Sequence, residues 1–472
     1  MSHYIHHYWQ VYFEYVNLMK DLSYRHIPLG LISNFYQYIS PEVRERMEDE
    51  AFGEELTTTC PKPQDIQPFF DQHKQQIKRT PYRPSHGKVL LHFEHLRFTE
   101  QNYTRFHPNQ TVVLARWKKA DYFGLPVISK PELAGEVNKE AHVEYIEKAN
   151  ALLKPYAQHP VFGNVFFREK LRKDIVQFID VIDQIETLFE MQPIAAVVVG
   201  TTEDAYSRVL ALQTVKRHLT SICLQHGALM GDEAFLPIFT TCHGVFGKYE
   251  KDWYVDKGCQ PEQVEITGHP RFDLVQERTP LQQEVVFRKL NFNPAQKTVL
   301  VATQPFSEAF YSDVLKTIAK RKDIQLIMKP HPWEIARNRL NDYTAIERAG
   351  NHVRLIKKEI DLYDLLPYMD MVITLTSTVG LEAMLFKKSV LIGKMTEGRR
   401  YPYYESLGSC HMENPIELAE KAIRILSDEQ EMKLAKQQGA RFIQEHYPHA
   451  HAQSTDVLLS LLKTKTGVDF QR

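Results

Sequence analysis

Ile324-Gln-Leu-Ile-Met-Lys-Pro-His-Pro-Trp333 and, further on, Thr374-Leu-Thr-Ser-Thr-Val-Gly-Leu-Glu-Ala-Met-Leu385 share one design. Each is an apolar run that ends in a polar loop. A buried parallel strand delivers side chains to a ligand crevice in this way. The first loop offers Lys329 and His331, held between prolines. The second offers three consecutive hydroxyls, Thr376, Ser377 and Thr378, where a helix is expected to begin. A cation, an imidazole and a hydroxyl-rich helix N-terminus together suit a phosphate or diphosphate. The pattern points to an enzyme that uses a nucleotide-activated donor.

Working outward, strands and helices alternate. Strands are expected at 298–303, 324–328, 353–356, 371–375 and 389–392, and helices at 310–321, 361–367, 378–386, 415–426 and 429–445. Upstream, strands are expected at 89–93, 111–115, 195–199, 222–224, 244–247 and 264–266. A helix is expected at 165–189, where Phe167, Leu171, Ile175, Phe178 and Ile182 recur at helical spacing. This alternation predicts an α/β protein with parallel sheets. The expected organisation is a helical, irregular N-terminal extension (1–86), a Rossmann-like acceptor domain (87–276), a polar linker (274–284), a Rossmann-like nucleotide-donor domain (285–450) and a C-terminal helix and tail (451–472). Two doubly wound domains of this kind face a central cleft that takes substrate.

Formal net charge is -1, which gives no sign of a bulk electrostatic partner such as duplex nucleic acid, and no nucleic-acid partner is expected. Five scattered cysteines argue for a reducing compartment. No apolar stretch is long enough for a membrane span, and the N-terminus does not read as a secretory signal. The expected location is the cytoplasm. Tyr8, Trp9, Tyr12, Phe13 and Tyr15 can form an aromatic helix stripe. Core packing is its expected use, and contact with a membrane surface is the alternative.

Three segments carry a family resemblance. They are Lys329-Pro330-His331-Pro332; Thr376 to Ala383 followed by Lys388-Ser389-Val390-Leu391; and Gln225-His226-Gly227 with Thr267-Gly268-His269-Pro270-Arg271-Phe272-Asp273. Over about residues 190–400 the chain resembles GT-B glycosyltransferases. Within that fold it is most similar to bacterial enzymes that build surface polymers: the CDP-glycerol glycerophosphotransferase group and the capsule polysaccharide transferases. Ser389 departs from the pattern, since a proline is common there. The resemblance implies transfer of a group from a CMP-, CDP- or UDP-linked donor to a hydroxyl of a surface polysaccharide, teichoic-acid-like or lipid-linked acceptor. Such work would place the enzyme peripherally at the inner membrane face.

The resemblance also implies residue roles. His331 would contact the donor phosphate and assist departure of the nucleotide. Lys329, Thr376, Ser377 and Thr378 would hold phosphate, and Glu382 would accept hydrogen bonds from the ribose. His226 is the expected general base, with Glu203 and Asp204 in reserve. From position alone, Arg271, where the first domain meets the linker, could reach the donor phosphates, and Gln304 and Ser307, which follow the second domain's first strand, would line the donor site. Gly380 allows close approach to a strand or a ligand.

No Asp-x-Asp motif precedes a donor site, in keeping with the metal-independence that the GT-B resemblance implies, and no cofactor is expected. The spacing of His92 and His95 suits a strand, not a helical zinc site. Two other readings stay open. One is a UDP-N-acetylglucosamine 2-epimerase, although Thr376-Ser377-Thr378-Val379 stands where those enzymes usually carry Asp-Ser-Gly-Gly. The other is a non-catalytic nucleotide-sugar-binding partner in a polymer-assembly complex.

Overall fold

The computed structural model describes residues 2–59, 61–80, 87–305, 307–394, 403–448 and 453–472. They form two compact units. The first comprises Met1–His226, Gly231–Arg271 and Gln453–Arg472, and the second Gly227–Met230 and Phe272–Ala452.

The first unit begins with helix α1 (His3–Leu18), whose aromatic residues are almost wholly buried. Tyr12 stacks on Phe35 at 4.7 Å and Phe13 on Phe69 at 3.8 Å between ring centroids. The Trp9 indole N–H donates to Asp232 Oδ2 at 2.7 Å, and Lys257 holds the same oxygen at 2.8 Å. The stripe is therefore core, not a surface for a membrane. No helix among the described residues is long and apolar enough to cross one. Trp9→Ala is expected to lower stability by about 3–5 kcal/mol, from the cavity and the lost hydrogen bond together. Urea denaturation measures the loss, and Trp9→Phe should recover most of it.

The sheet of this unit contains β1 (Lys88–His92), β2 (Thr111–Ala115), β3 (Asp121–Tyr122), β4 (Leu125–Ser129), β5 (Ile194–Val199), β6 (Thr220–Leu224), β7 (Cys242–Val245) and β8 (Val264–Ile266). Its order is β8-β7-β6-β5-β1-β2-β4-β3. All pairs are parallel except β3 with β4. The chain starts mid-sheet, builds one side, then returns past β1 to build the other. That reversal between β1 and β5 is a topological switch point, the place where such sheets bind ligands. Gly200 follows β5 there. A Cβ on it would lie 2.2 Å from the His95 backbone, so only glycine fits.

Two long helices cover this unit. Asn138 caps α2 (Lys139–Leu153), and α3 (Val165–Met191) buries the periodic face read from the sequence. The C-terminal segment, set apart in the sequence reading as a tail, belongs to this unit. Leu458, Leu459, Leu462 and Phe470 pack with Val89, Leu91, Val198 and Leu224 in one core. The described residues of 1–86 belong to it as well.

The second unit carries β9 (Lys297–Ala302), β10 (Ile324–Lys329), β11 (Val353–Leu355), β12 (Met371–Thr374), β13 (Ser389–Gly393) and β14 (His411–Met412). Their order is β11-β10-β9-β12-β13-β14, all parallel. This is the doubly wound dinucleotide-binding order, with its switch point between β9 and β12. The polar stretch 274–284 is not a free linker. Leu274–Glu277 is a short helix, and Gln283 opens another. Between them Arg278 pairs with Asp361 at 2.9 Å and Asp364 at 2.7 Å, and the Leu281 N–H donates to Asp364 at 3.0 Å. Its polarity reflects these anchors.

Candidate functional site

In the second unit the switch point is closed by one side chain. Gln304, just past β9, accepts from the Thr376 N–H at 2.9 Å and the Thr376 hydroxyl at 3.2 Å. This fixes the loop after β12 as it enters α4 (Thr378–Leu385). Ser377 is the N-cap, and its Oγ accepts from the Val379 N–H at 3.2 Å. Accepting that bond leaves the hydroxyl proton to donate outward. The Tyr404 hydroxyl donates to the Ser377 carbonyl at 2.6 Å. Thr376, Ser377 and Thr378 are all half-buried, at the positive end of the helix. Gly380 lets the helix approach β13, since a Cβ would meet Ile392 at 2.9 Å. Glu382 is buried, with 4% exposure. Ser307 stands at the N-terminus of the helix Glu308–Ala319, with no side-chain cap bond.

His331 is exposed and caps the short helix Pro332–Ala336. Its Nδ1 accepts from the Trp333 N–H at 3.2 Å. That bond places the proton of a neutral ring on Nε2, which can donate to an anion. Behind it stands Glu334, 1% exposed. Its carboxylate accepts from the His331 N–H at 2.8 Å, the Thr303 hydroxyl at 2.7 Å and the Tyr343 hydroxyl at 2.9 Å. Sequence reasoning missed Glu334. The signal was present, because His331 and Glu334 have capping-box spacing. Lys329 is differently occupied. Its ammonium donates to the Lys357 carbonyl at 2.6 Å and the Ile360 carbonyl at 3.4 Å. Burial lowers its pKa against the pull of Asp361 and Glu359. In this structure Lys329 ties down the 357–360 loop.

The first unit brings another set together at its own switch point. His226 follows β6, and its ring stacks on Phe235 at 5.0 Å with an interplanar angle of 11°. Arg97 donates to the His226 carbonyl at 2.8 Å. His226 Nε2 lies 3.5 Å from Glu203 Oε2, in the loop after β5. The two groups shift in opposite directions. Burial, with Arg97, His95 and His243 nearby, drives His226 down to about 3. Burial raises Glu203 to about 7; Arg208 opposes this, and Asp204 and Glu233 add to it. Near neutral pH the imidazole is thus uncharged, and the carboxyl is balanced between its two forms. A carboxyl so poised is suited to proton transfer.

Asp204 has a different task. It caps the helix Ala205–Arg217, accepting from the Ser207 N–H at 3.0 Å and the Ser207 hydroxyl at 2.6 Å. Arg271 lies at the boundary of this unit, and its N–H donates to His269 Nδ1 at 3.2 Å.

Residues 297–410 match the family described as capsule polysaccharide biosynthesis protein. No curated relative matches the sequence significantly. A putative UDP-N-acetylglucosamine 2-epimerase from Listeria monocytogenes has a similar structure, with a TM-score of 0.53 at 14% identity, covering 81% of this chain and 97% of that one. The wall teichoic acid polymerase TagF gives 0.51 at 11% identity, covering 84% and 95%. The fold is GT-B. A glycosyltransferase from Rickettsia africae ESF-5 shares it, with a TM-score of 0.50 at 12% identity, covering 80% and 98%. The matched segment contains both Lys329–Pro332 and Thr376–Ala383, so the GT-B resemblance read from them holds.

Proposed function

We propose that this GT-B protein is a transferase that moves a group from a nucleotide-activated donor to a hydroxyl of a surface-polymer acceptor. The observation that carries the reading is the hydroxyl-capped helix N-terminus at 376–378, pinned by Gln304 at the switch point of a doubly wound sheet. The capsule-family match over the same segment supports a transferase over an epimerase.

The donor phosphate binds at Ser377 and Thr378, with His331 Nε2–H as a further donor. As the bond from the transferred group to the phosphate oxygen breaks, negative charge builds on the departing nucleotide. The helix end and His331 stabilise that charge. The acceptor hydroxyl attacks, its oxygen bonds to the transferred group, and its proton passes to Glu203. His226, held neutral, steadies the Glu203 carboxyl from 3.5 Å. The chemistry described needs no cofactor or metal.

Thermal unfolding against CMP, CDP, UDP, GDP and their linked donors tests the donor half. A nucleotide present at about a hundred times its Kd stabilises by about 2.7 kcal/mol. One nucleotide should stand out. Ser377→Ala should lose most of that shift while costing only about 1 kcal/mol of intrinsic stability, as for an N-cap. A chain indifferent to every nucleotide contradicts the proposal.

A further inference from the structure

Beside Glu203 lies a pocket of about 330 Å³ that neither the family match nor the donor chemistry assigns. Its walls come from three places. Thr201 and Glu203 stand on the loop after β5, Lys170 and Asp174 on α3, and Asn34 and Gln37 on the N-terminal segment. The volume is at the small end of ligand sites, suited to a single sugar ring.

The Asn34 carboxamide is oriented by its own bond, since Nδ2 donates to the Glu203 carbonyl at 3.1 Å. Its Oδ1 is buried and accepts no hydrogen bond among the described residues. An unfilled buried acceptor costs free energy unless a ligand supplies the donor. Asp174 accepts from the Tyr38 hydroxyl at 2.8 Å and pairs with Lys170. The charged groups facing the pocket are therefore Lys170 against Asp174, Asp204 and the Glu203 carboxyl. This balance disfavours an anion and suits a neutral polyol.

We propose that this pocket seats a neutral sugar residue of the acceptor, with Asn34 Oδ1 accepting one of its hydroxyls and Glu203 facing the one that reacts. The proposal rests on the transferase reading and assigns its acceptor class. It also gives the N-terminal segment a role in specificity, since Asn34 and Gln37 form one wall.

Ligand-observed NMR on the full chain tests it, using methyl hexosides and methyl N-acetylhexosaminides against methyl hexuronides and hexose phosphates. At least one neutral glycoside should bind, and the anionic probes should bind at least tenfold more weakly. Asn34→Ala should weaken the neutral glycoside at least tenfold and leave the nucleotide-induced thermal shift unchanged. Gln37 is exposed, so Gln37→Ala provides a variant that folds, and it should weaken the same probe severalfold. Three results overturn the assignment: no glycoside bound while a nucleotide still binds, equal binding by wild type and both variants, or preference for an anionic probe. Loss of nucleotide binding by the wild-type chain defeats the transferase reading instead, and separately.

Discussion

Glu203→Gln lowers turnover about a hundredfold or more, the usual contribution of a positioned acid or base, with nucleotide affinity unchanged. The expectation follows from the carboxyl's position. It lies 3.5 Å from a neutral imidazole, at the switch point of the first unit, and its pKa stands near 7. The wild-type rate should rise with pH through about 7, as the carboxyl ionises into its proton-accepting form. In Glu203→Gln that limb disappears. His226→Asn removes a ring that stays neutral over this range. It should lower turnover and shift the limb without abolishing it. Unchanged turnover in Glu203→Gln removes this group as the base.

Stability should move the opposite way. The folded pKa of Glu203 lies above its ordinary value of 4.5. Between those two values the folded state binds more protons than the unfolded one, so this group's contribution to stability falls as pH rises from 4.5 to about 7. Glu203→Gln should therefore be more stable than wild type above neutrality, and the margin should shrink in acid. A variant that is less active and more heat-resistant at pH 8 is the signature of a carboxyl held in place for function.

Glu334→Ala has the larger effect on structure. The substitution removes the buried carboxylate that joins His331, Thr303 and Tyr343, and it leaves their donors without that acceptor. A stability loss of about 3 kcal/mol is expected, read from urea midpoints. Nucleotide affinity should fall about tenfold as well, because the His331 loop loses its register. Glu334→Gln retains an acceptor and should recover part of both. If stability falls with affinity intact, His331 is not part of the donor site.

Much of this was legible in the sequence for a simple reason. Buried parallel strands are continuous apolar runs, so the strands expected at 298–303, 324–328 and 371–375 stood out to within a residue of their structural bounds, and the loops that follow them had to carry the chemistry. The long amphipathic helix was equally plain from its period. What periodicity could not supply was partnership across the chain. Nothing local shows that Asp204 is occupied as a cap while its neighbour Glu203 meets His226. Nothing local shows that Lys329 turns to the 357–360 carbonyls, or that Arg278 anchors a stretch that looked like a linker. The C-terminal helix reads as a tail because its place in the first unit's core depends on contacts hundreds of residues away. Asn34 and Gln37 carry no motif, and only the fold sets them beside Glu203.

The most direct test of the account is release of free nucleotide from CMP-, CDP-, UDP- and GDP-linked donors by the purified chain, with and without a neutral glycoside acceptor. The account predicts release from one donor class, faster with acceptor, matched by a transferred product and suppressed in Glu203→Gln. Binding of a nucleotide with no release and no transfer from any donor would contradict it and leave a binding protein. Conversion of a UDP-sugar to its epimer with the transferred group retained would contradict it in favour of epimerisation.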